Sequence, residues 1–223
     1  MKKIIACALS VLMICSAQAA SSVQLDRTRV LMFYGANKAQ FAMSNNQASP
    51  VLASAFITEL NGQPTHKFTV SPSVFQIKGK TTHKGAVVQL ENLPQDRESV
   101  FWLNVKTIAP QDPAAKEAST LEFAIGQRIK LFYRPAGIDQ NCVTSAEALQ
   151  WKRTKEGIKV INPSKVSVSL VKVKSEAGVS EIGDVVMPLS EREYKLNVRH
   201  TTGTAFTFVD EYGAFIDKPF SFN

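Results

Sequence analysis

Apolar residues in this chain recur at every second position and are interrupted every few residues by turn formers. Val51, Ala53, Ala55 and Ile57 alternate with Leu52, Ser54, Phe56 and Thr58, and Val74, Phe75 and Ile77 follow a break at Pro72. Val87, Val88 and Leu90 lead into Glu91-Asn92-Leu93-Pro94, after which Val100 to Ile108 is a long aromatic and β-branched run. Residues two apart on a strand share a face, so this pattern builds half-buried strands. No window carries the spacing of a helix of ordinary length. Short strands parted by turns predict an all-β sandwich. At 44% hydrophobic and 20% charged residues, the chain has material for packed cores and lies outside the disordered class. Its 223 residues suffice for two domains.

The cleanest alternation is Leu121, Phe123 and Ile125, with Glu122, Ala124 and Gly126 between them. It runs on through Gln127 to Lys130 into Leu131-Phe132-Tyr133-Arg134-Pro135. Beyond Pro135-Ala136-Gly137 the pattern lapses until Leu149, which places a domain break near Ile138 to Ser145. A second block of strands follows: Leu149 to Thr154, a turn at Lys155-Glu156-Gly157, Ile158 to Ile161, and a strand from Val166 to Val173 beyond Asn162-Pro163-Ser164. Glu191 to Val198, Ala205 to Val209 and Phe215 to Phe222 complete it.

Met1-Lys2-Lys3, the apolar run Ile4 to Cys15 and Ala17-Gln18-Ala19 have the charged, apolar, small-residue order of a secretory signal peptide, residues 1–19. The expected mature chain is exported and begins at about Ala20. Its longest apolar run falls short of the ~20 residues of a membrane-spanning helix, so no membrane insertion is expected. When Lys2 and Lys3 leave, the 26 basic residues fall to 24 against 19 acidic, and the net charge falls from +7 to +5. Cys7 and Cys15 leave as well, so Cys142 is the single remaining thiol and no internal disulfide is expected. Gln140, Asn141, Val143 and Thr144 around it offer no base to activate it.

No nucleophile elbow, His-Glu-x-x-His or phosphate loop is present, and the carboxylates are dispersed, so an enzyme is not expected; a hydrolase using two such carboxylates is a distant rival. His66, His83 and His200 lie far apart in turn-like contexts and read as surface residues, with no metal and no cofactor implied. The Lys and Arg residues form no run and do not interleave with aromatics, so no nucleic acid partner is expected. A mild basic balance instead suits acidic segments or carboxyl groups.

Basic side chains set in apolar strands are the informative feature. Leu25-Asp26-Arg27-Thr28-Arg29-Val30 reads as a strand with two arginines, and Lys130 sits between Ile129 and Leu131. Lys130 has even parity and Leu121, Phe123 and Ile125 odd, so one strand offers an apolar row on one face and a cation on the other.

Leu25-Asp26-Arg27-Thr28-Arg29, Leu93-Pro94-Gln95-Asp96-Arg97-Glu98-Ser99 with Phe101, Leu103 and Asn104, and Ile129-Lys130-Leu131-Phe132-Tyr133-Arg134-Pro135 resemble the PapD-like periplasmic chaperones of chaperone-usher pili. Asn162-Pro163 and Tyr212-Gly213-Ala214 fall where that family's second domain has similar residues, so the resemblance covers essentially the whole mature chain. It implies two immunoglobulin-like β-sandwich domains in an L or boomerang, residues 20–138 with the donor strand and 139–223. It also implies a periplasmic protein that folds and caps pilus subunits by donor-strand complementation and delivers them to an outer-membrane usher. On that pattern Arg29 and Lys130 anchor the subunit's C-terminal carboxylate. Leu121, Phe123 and Ile125 fill the subunit's groove. Glu98 and Arg134 join an interdomain ion-pair network whose third place, usually Asp, holds Glu211 with Asp210 beside it. The short polar connection Gln111 to Thr120 resembles the short-loop branch. Ala109, where relatives have consecutive prolines, and the absence of a cysteine pair near the C-terminus are departures without central consequence. Whether free molecules form a self-capping dimer stays open. The rival reading, an Ig-like pilin or surface adhesin, calls for a cysteine pair and a donor extension ahead of the domain, and neither is present.

Overall fold

The computed structural model describes residues 23–108, 124–175, 178–196 and 204–222. Residues 1–19, read as a signal peptide, the connection Gln111 to Thr120, and Leu121, Phe123 and His200 lie outside the described residues. In the first half of the chain, alternation becomes β1 (Val23–Leu25), β2 (Arg29–Phe33), β3 (Lys38–Asn45), β4 (Val51–Thr58), β5 (Phe68–Ser71), β6 (Val74–Ile77), β7 (Thr82–Gln89), β8 (Ser99–Ile108) and β9 (Ala124–Arg134). They form two sheets, ordered β1-β3-β7-β5 and β2-β9-β8-β4-β6. The period of two sorts each strand. Val51, Ala53, Ala55 and Ile57 of β4 are buried between the sheets, and Leu52 and Phe56 are exposed on the outer face. Phe41, Met43, Phe68 and Val87 meet them from the opposite sheet.

Leu25 to Val30 is two strands and not one. The chain leaves the first sheet after Leu25 and joins the second at Arg29. Asp26 makes this change possible: its backbone N–H donates to the Ala42 carbonyl at 3.0 Å, and its Oδ1 accepts from the Ala42 N–H at 2.9 Å, which closes the pairing with β3. Arg27 is left at the surface against Asp26, whereas Arg29 is carried into the second sheet.

The second half begins with α1 (Cys142–Glu147), inside the stretch where the sequence pattern lapses. Asn141 caps it, its side chain accepting from the N–H groups of Val143 and Thr144 while Thr144 Oγ1 accepts from the Asn141 N–H. The strands are β10 (Gln150–Arg153), β11 (Gly157–Asn162), β12 (Val168–Ser175), β13 (Gly178–Val186), β14 (Ser190–Lys195), β15 (Thr204–Val209) and β16 (Phe215–Phe220). Their sheets run β10-β11-β14 and β13-β12-β15-β16 around a core of Trp151, Ile158, Leu170, Phe206 and Phe208. The strand expected from Val166 starts two residues later, because the Val166 carbonyl is engaged by Asn162 Nδ2 and Ser164 Oγ, both at 2.9 Å. His83 is half-buried and stacked on Phe75 with ring centroids 4.1 Å apart, unlike the surface residue expected; His66 is exposed. Between the halves, Val100, Phe132 and Val185 form a small apolar cluster extended by Leu31, Leu60 and Met187.

Gly157, read as a turn residue, is a strand residue whose lack of a side chain has a steric reason. A Cβ there would lie 1.9 Å from the Tyr194 carbonyl oxygen of the neighbouring strand. Gly157→Ala is expected to force β11 and β14 apart and to lower stability by about 3 kcal/mol, read as a reduced urea midpoint.

Candidate functional site

β9 has two different edges. Along one it pairs antiparallel with β8 from Tyr133 to Ala124; along the other it pairs with β2 only over Lys130 to Arg134, in parallel register. Among the described residues, no strand occupies the row beside Ala124 to Ile129. Strand pairing on this side begins, among the described residues, where Arg29 stands directly beside Lys130, and Gln127 reaches the Val23 carbonyl through its side chain at 2.6 Å. Odd residues of β9 face the core of the first sandwich, where Leu131 and Tyr133 are buried and Ile129 packs against them. Ile125 lies further along that face and is 42% exposed. Even residues face the second sandwich, where Phe132 joins the interdomain cluster and Arg134 is buried.

Arg29 and Lys130 therefore form a pair of like charges in the crevice between the halves. Arg29 Nη1 donates to the Val209 carbonyl at 3.2 Å, its guanidinium lies over Phe132, and its buried Nε has no hydrogen-bond partner. Lys130 Nζ donates to Ser169 Oγ at 3.3 Å. Burial, then the adjacent Arg29, lower the Lys130 pKa to about 8, with Asp184 acting the other way. Burial likewise lowers the Arg29 pKa, although nearby acidic groups, Asp210, Glu98 and Glu211 among them, act against it. Two partly desolvated cations, one with an unused N–H, suit an anion. Arg29, Phe132, Ser169, Val209 and Cys142 line one pocket there. Burial and the neighbouring Glu211 push the Cys142 thiol up to about 11, so it is a neutral wall of that pocket.

Glu98, Arg134 and Glu211 meet behind this pair. Arg134 Nε and Nη2 both reach Glu98 Oε2, at 3.0 and 2.8 Å, and Arg134 Nη1 reaches Glu211 Oε1 at 2.5 Å. The other Glu98 oxygen accepts from the N–H and the hydroxyl of Ser167, across the interdomain boundary. Burial pushes the Glu98 carboxyl up, opposed by Arg134 and Ser167. For Arg134 burial opposes the charge, but the two carboxylates outweigh it and hold its pKa above the ordinary value. Glu211 rather than Asp210 makes this contact because Asp210 accepts from the Tyr212 and Ala214 N–H groups and shapes the turn. Ser167 and Ser169, both buried, went unassigned in the sequence; the signal for them was a serine alternating with Val166, Val168 and Leu170.

Among the described residues, an open sheet edge ends at two half-buried cations in a crevice between two immunoglobulin-like sandwiches. Known proteins give this arrangement a name. The family model for the pili and flagellar-assembly chaperone PapD N-terminal domain matches residues 22–139, and that for the pili assembly chaperone PapD C-terminal domain matches residues 144–220. Chaperone protein FimC of Escherichia coli O6:H1 is 32% identical over 209 residues, covering 92% of this chain and 86% of FimC. Chaperone protein LpfB of Salmonella typhimurium is 33% identical over 174 residues, covering 76% and 75%. Among solved structures, a chain of the Salmonella enterica SafA pilin–SafB chaperone complex superposes with a TM-score of 0.80 at 25% identity, covering 92% of this chain and 97% of that one. The Pseudomonas aeruginosa CupB2 chaperone gives 0.76 at 26% identity, covering 90% and 100%. The chain belongs to the PapD-like family of pilus-assembly chaperones.

Replacing Arg134 with Met keeps the bulk and leaves Glu98 buried without its cation. The expected loss is about 3–5 kcal/mol in urea unfolding, because an uncompensated buried carboxylate remains. Glu211→Gln, at a more exposed position, is expected to cost about 1 kcal/mol or less.

Proposed function

We propose that this chaperone acts in the periplasm, captures pilus subunits by lending them β9, and hands them to an outer-membrane usher. The observation that carries the reading is the parallel register of Arg29 and Lys130 at the end of the open row. A strand entering that row extends the line of β2 and must stop where Arg29 begins. If it runs parallel to β9, its last atoms are its own C-terminal carboxylate, and that carboxylate meets the two cations. Run the other way, it would bring its N-terminus or a chain continuation against them.

The carboxylate fixes the alignment and the alternating side chains follow. A one-residue slip would aim Glu122 and Ala124 into the subunit's groove in place of Leu121, Phe123 and Ile125. From Leu121 to Lys130 is nine steps of about 3.3 Å, roughly 30 Å, so one strand reaches from groove to anchor. Charge-assisted hydrogen bonds contribute about 1.5–3 kcal/mol each, and each apolar side chain entering the groove about 1.5–3 kcal/mol. The two terms are comparable, which makes the anchor a device for register as much as for affinity. Glu98, Arg134 and Glu211 hold the sandwiches in the relation the anchor needs. No chemical transformation and no cofactor belong to this reading.

Arg29→Ala and Lys130→Ala are each expected to abolish capture of pilus subunits while the circular dichroism spectrum stays that of the parent. Co-purification of an undiminished subunit load with either variant refutes the anchor. The lowered Lys130 pKa adds a pH test. The carboxylate binds the protonated amine, so the free-state value near 8 marks where affinity begins to fall as pH rises. Binding of a peptide with a free C-terminal carboxylate is expected to be flat up to about pH 7, to weaken progressively between about pH 8 and 10, and to lose this slope in Lys130→Met.

A further inference from the structure

The cleft-facing side of the five-stranded sheet carries more positive charge than the anchor uses. Its strands β2, β4, β6, β8 and β9 contain, among the described residues, five basic residues, Arg29, Lys106, Arg128, Lys130 and Arg134, and no Asp or Glu. Among the described residues, Arg134 is the one of these with a carboxylate in ion-pair contact. Arg128 and Lys106 lie on the same face as Lys130, in the next rows of the sheet: Lys130 stands across from Trp102, Arg128 across from Asn104, and Lys106 across from Gly126. Both are exposed, yet both are held on an aromatic ring. The Arg128 guanidinium lies 4.6 Å from the centroid of Trp102, a ring it shares with Lys130 Nζ at 5.8 Å, and Lys106 Nζ lies 5.4 Å from the centroid of Phe56. Trp102 is itself fixed, its Nε1 donating to the Leu60 carbonyl at 3.2 Å. Cations resting on aromatic faces are positioned and partly desolvated, so they recognise a carboxylate better than freely moving surface lysines do.

We infer that Arg128 and Lys106 read acidic side chains of the captured subunit strand, immediately ahead of its C-terminal carboxylate. This rests on the strand-capture reading above and names the class of subunit end that it favours. The open row lies beside Ala124 to Ile129, and in a parallel pair neighbouring residues share a face. An incoming strand that stops at Arg29 therefore turns alternate side chains to the cleft face, beside Arg128 and beside Gly126, whose partner across the sheet is Lys106. Rows on one face are about 6.6 Å apart, within reach of a glutamate side chain. An acid on the alternate positions meets two cations that have no carboxylate partner among the described residues; an acid on the others turns toward the apolar face of Ile125 and Ile129. The preference is thus for one alternation phase and not for negative charge as such.

The test uses the mature chaperone and short synthetic peptides of alternating valine and threonine with a free C-terminal carboxylate, measured by fluorescence anisotropy. Two further peptides carry glutamate at two alternate positions near the end, one in each phase. One phase is expected to gain about tenfold in affinity and the other little, with the gain falling as salt rises. In the double variant Arg128→Gln/Lys106→Gln the gain disappears and the valine–threonine peptide binds as before; unfolding temperature checks that the variant is folded. Equal gain in both phases, or a gain that survives the double variant, overturns the inference. So does a double variant that alters only self-association, which assigns the face to a second copy. Amidating the peptide terminus, with Arg29→Gln, reports the anchor separately: if amidation has no effect the capture reading fails, whatever the glutamate preference. If no peptide binds, both fall.

Discussion

The Arg134 guanidinium sits where three distant parts of the chain converge, and the crevice depends on that meeting. Glu98 comes from the entry to β8, Glu211 from the turn after β15, and Arg134 from the end of β9. Ser167, just ahead of β12, completes the Glu98 carboxylate from the second sandwich. A buried ion pair is seldom a net source of stability against an apolar equivalent, since desolvation offsets most of the attraction. Its directional hydrogen bonds do something an apolar patch cannot: they admit one relative placement of the sandwiches. The small interdomain cluster around Phe132 and Val185 supplies contact without direction. The placement in turn brings the Val209 carbonyl to Arg29 and Ser169 to Lys130.

Like charges on adjacent strand positions are unfavourable, and here they are also partly taken out of water. Both Arg29 and Lys130 have pKa values pulled down by that burial, and Arg29 keeps an N–H with no acceptor. A protein selected for stability alone has no use for this arrangement. On the capture reading, an entering anion would relieve it, and the free state would hold in place a repulsion that binding removes. Neutral partners on the protein side keep the site receptive: a carbonyl and a hydroxyl orient the cations without neutralising them, as a carboxylate at either position would.

Much of the fold was legible because burial and period coincide. Val51, Ala53, Ala55 and Ile57 are buried on one side of β4, and the alternation in the sequence already sorted them. Where the period is carried by hydrogen bonds instead, it misled. Leu25 to Val30 looks like one strand, but Asp26 closes one sheet against Ala42 and frees the chain to enter the other. Gly157 looks like a turn former and is a strand residue kept small by the carbonyl of Tyr194. The capped helix at Cys142 was hidden because six residues are too few to show a period, although Asn141 and Thr144 carry its capping signal. In the site, Arg29 and Lys130 stood out as charges in apolar strands, whereas Glu98, Arg134 and Glu211 were reached only through the family resemblance. Ser167, Ser169 and the Val209 carbonyl did not stand out, because a serine in a strand reads as solvent-facing and a backbone carbonyl has no sequence signature.

An open edge is ordinarily a hazard, since unpaired backbone groups invite any extended chain. Here the row beside Ala124 to Ile129 ends at Arg29 and Lys130 and is flanked by Arg128, with no acidic residue among the described residues of the five-stranded sheet. Positive charge along an edge repels chains with basic residues and discourages register-free pairing, while a strand with an anionic end is drawn to one position. Protection against aggregation and selection of the right chain then follow from the same side chains. The exposed Ile125 fits the division of labour that the capture reading proposes: backbone pairing alone does not specify a partner, so the cations would specify where it stops and the apolar face which side it must present.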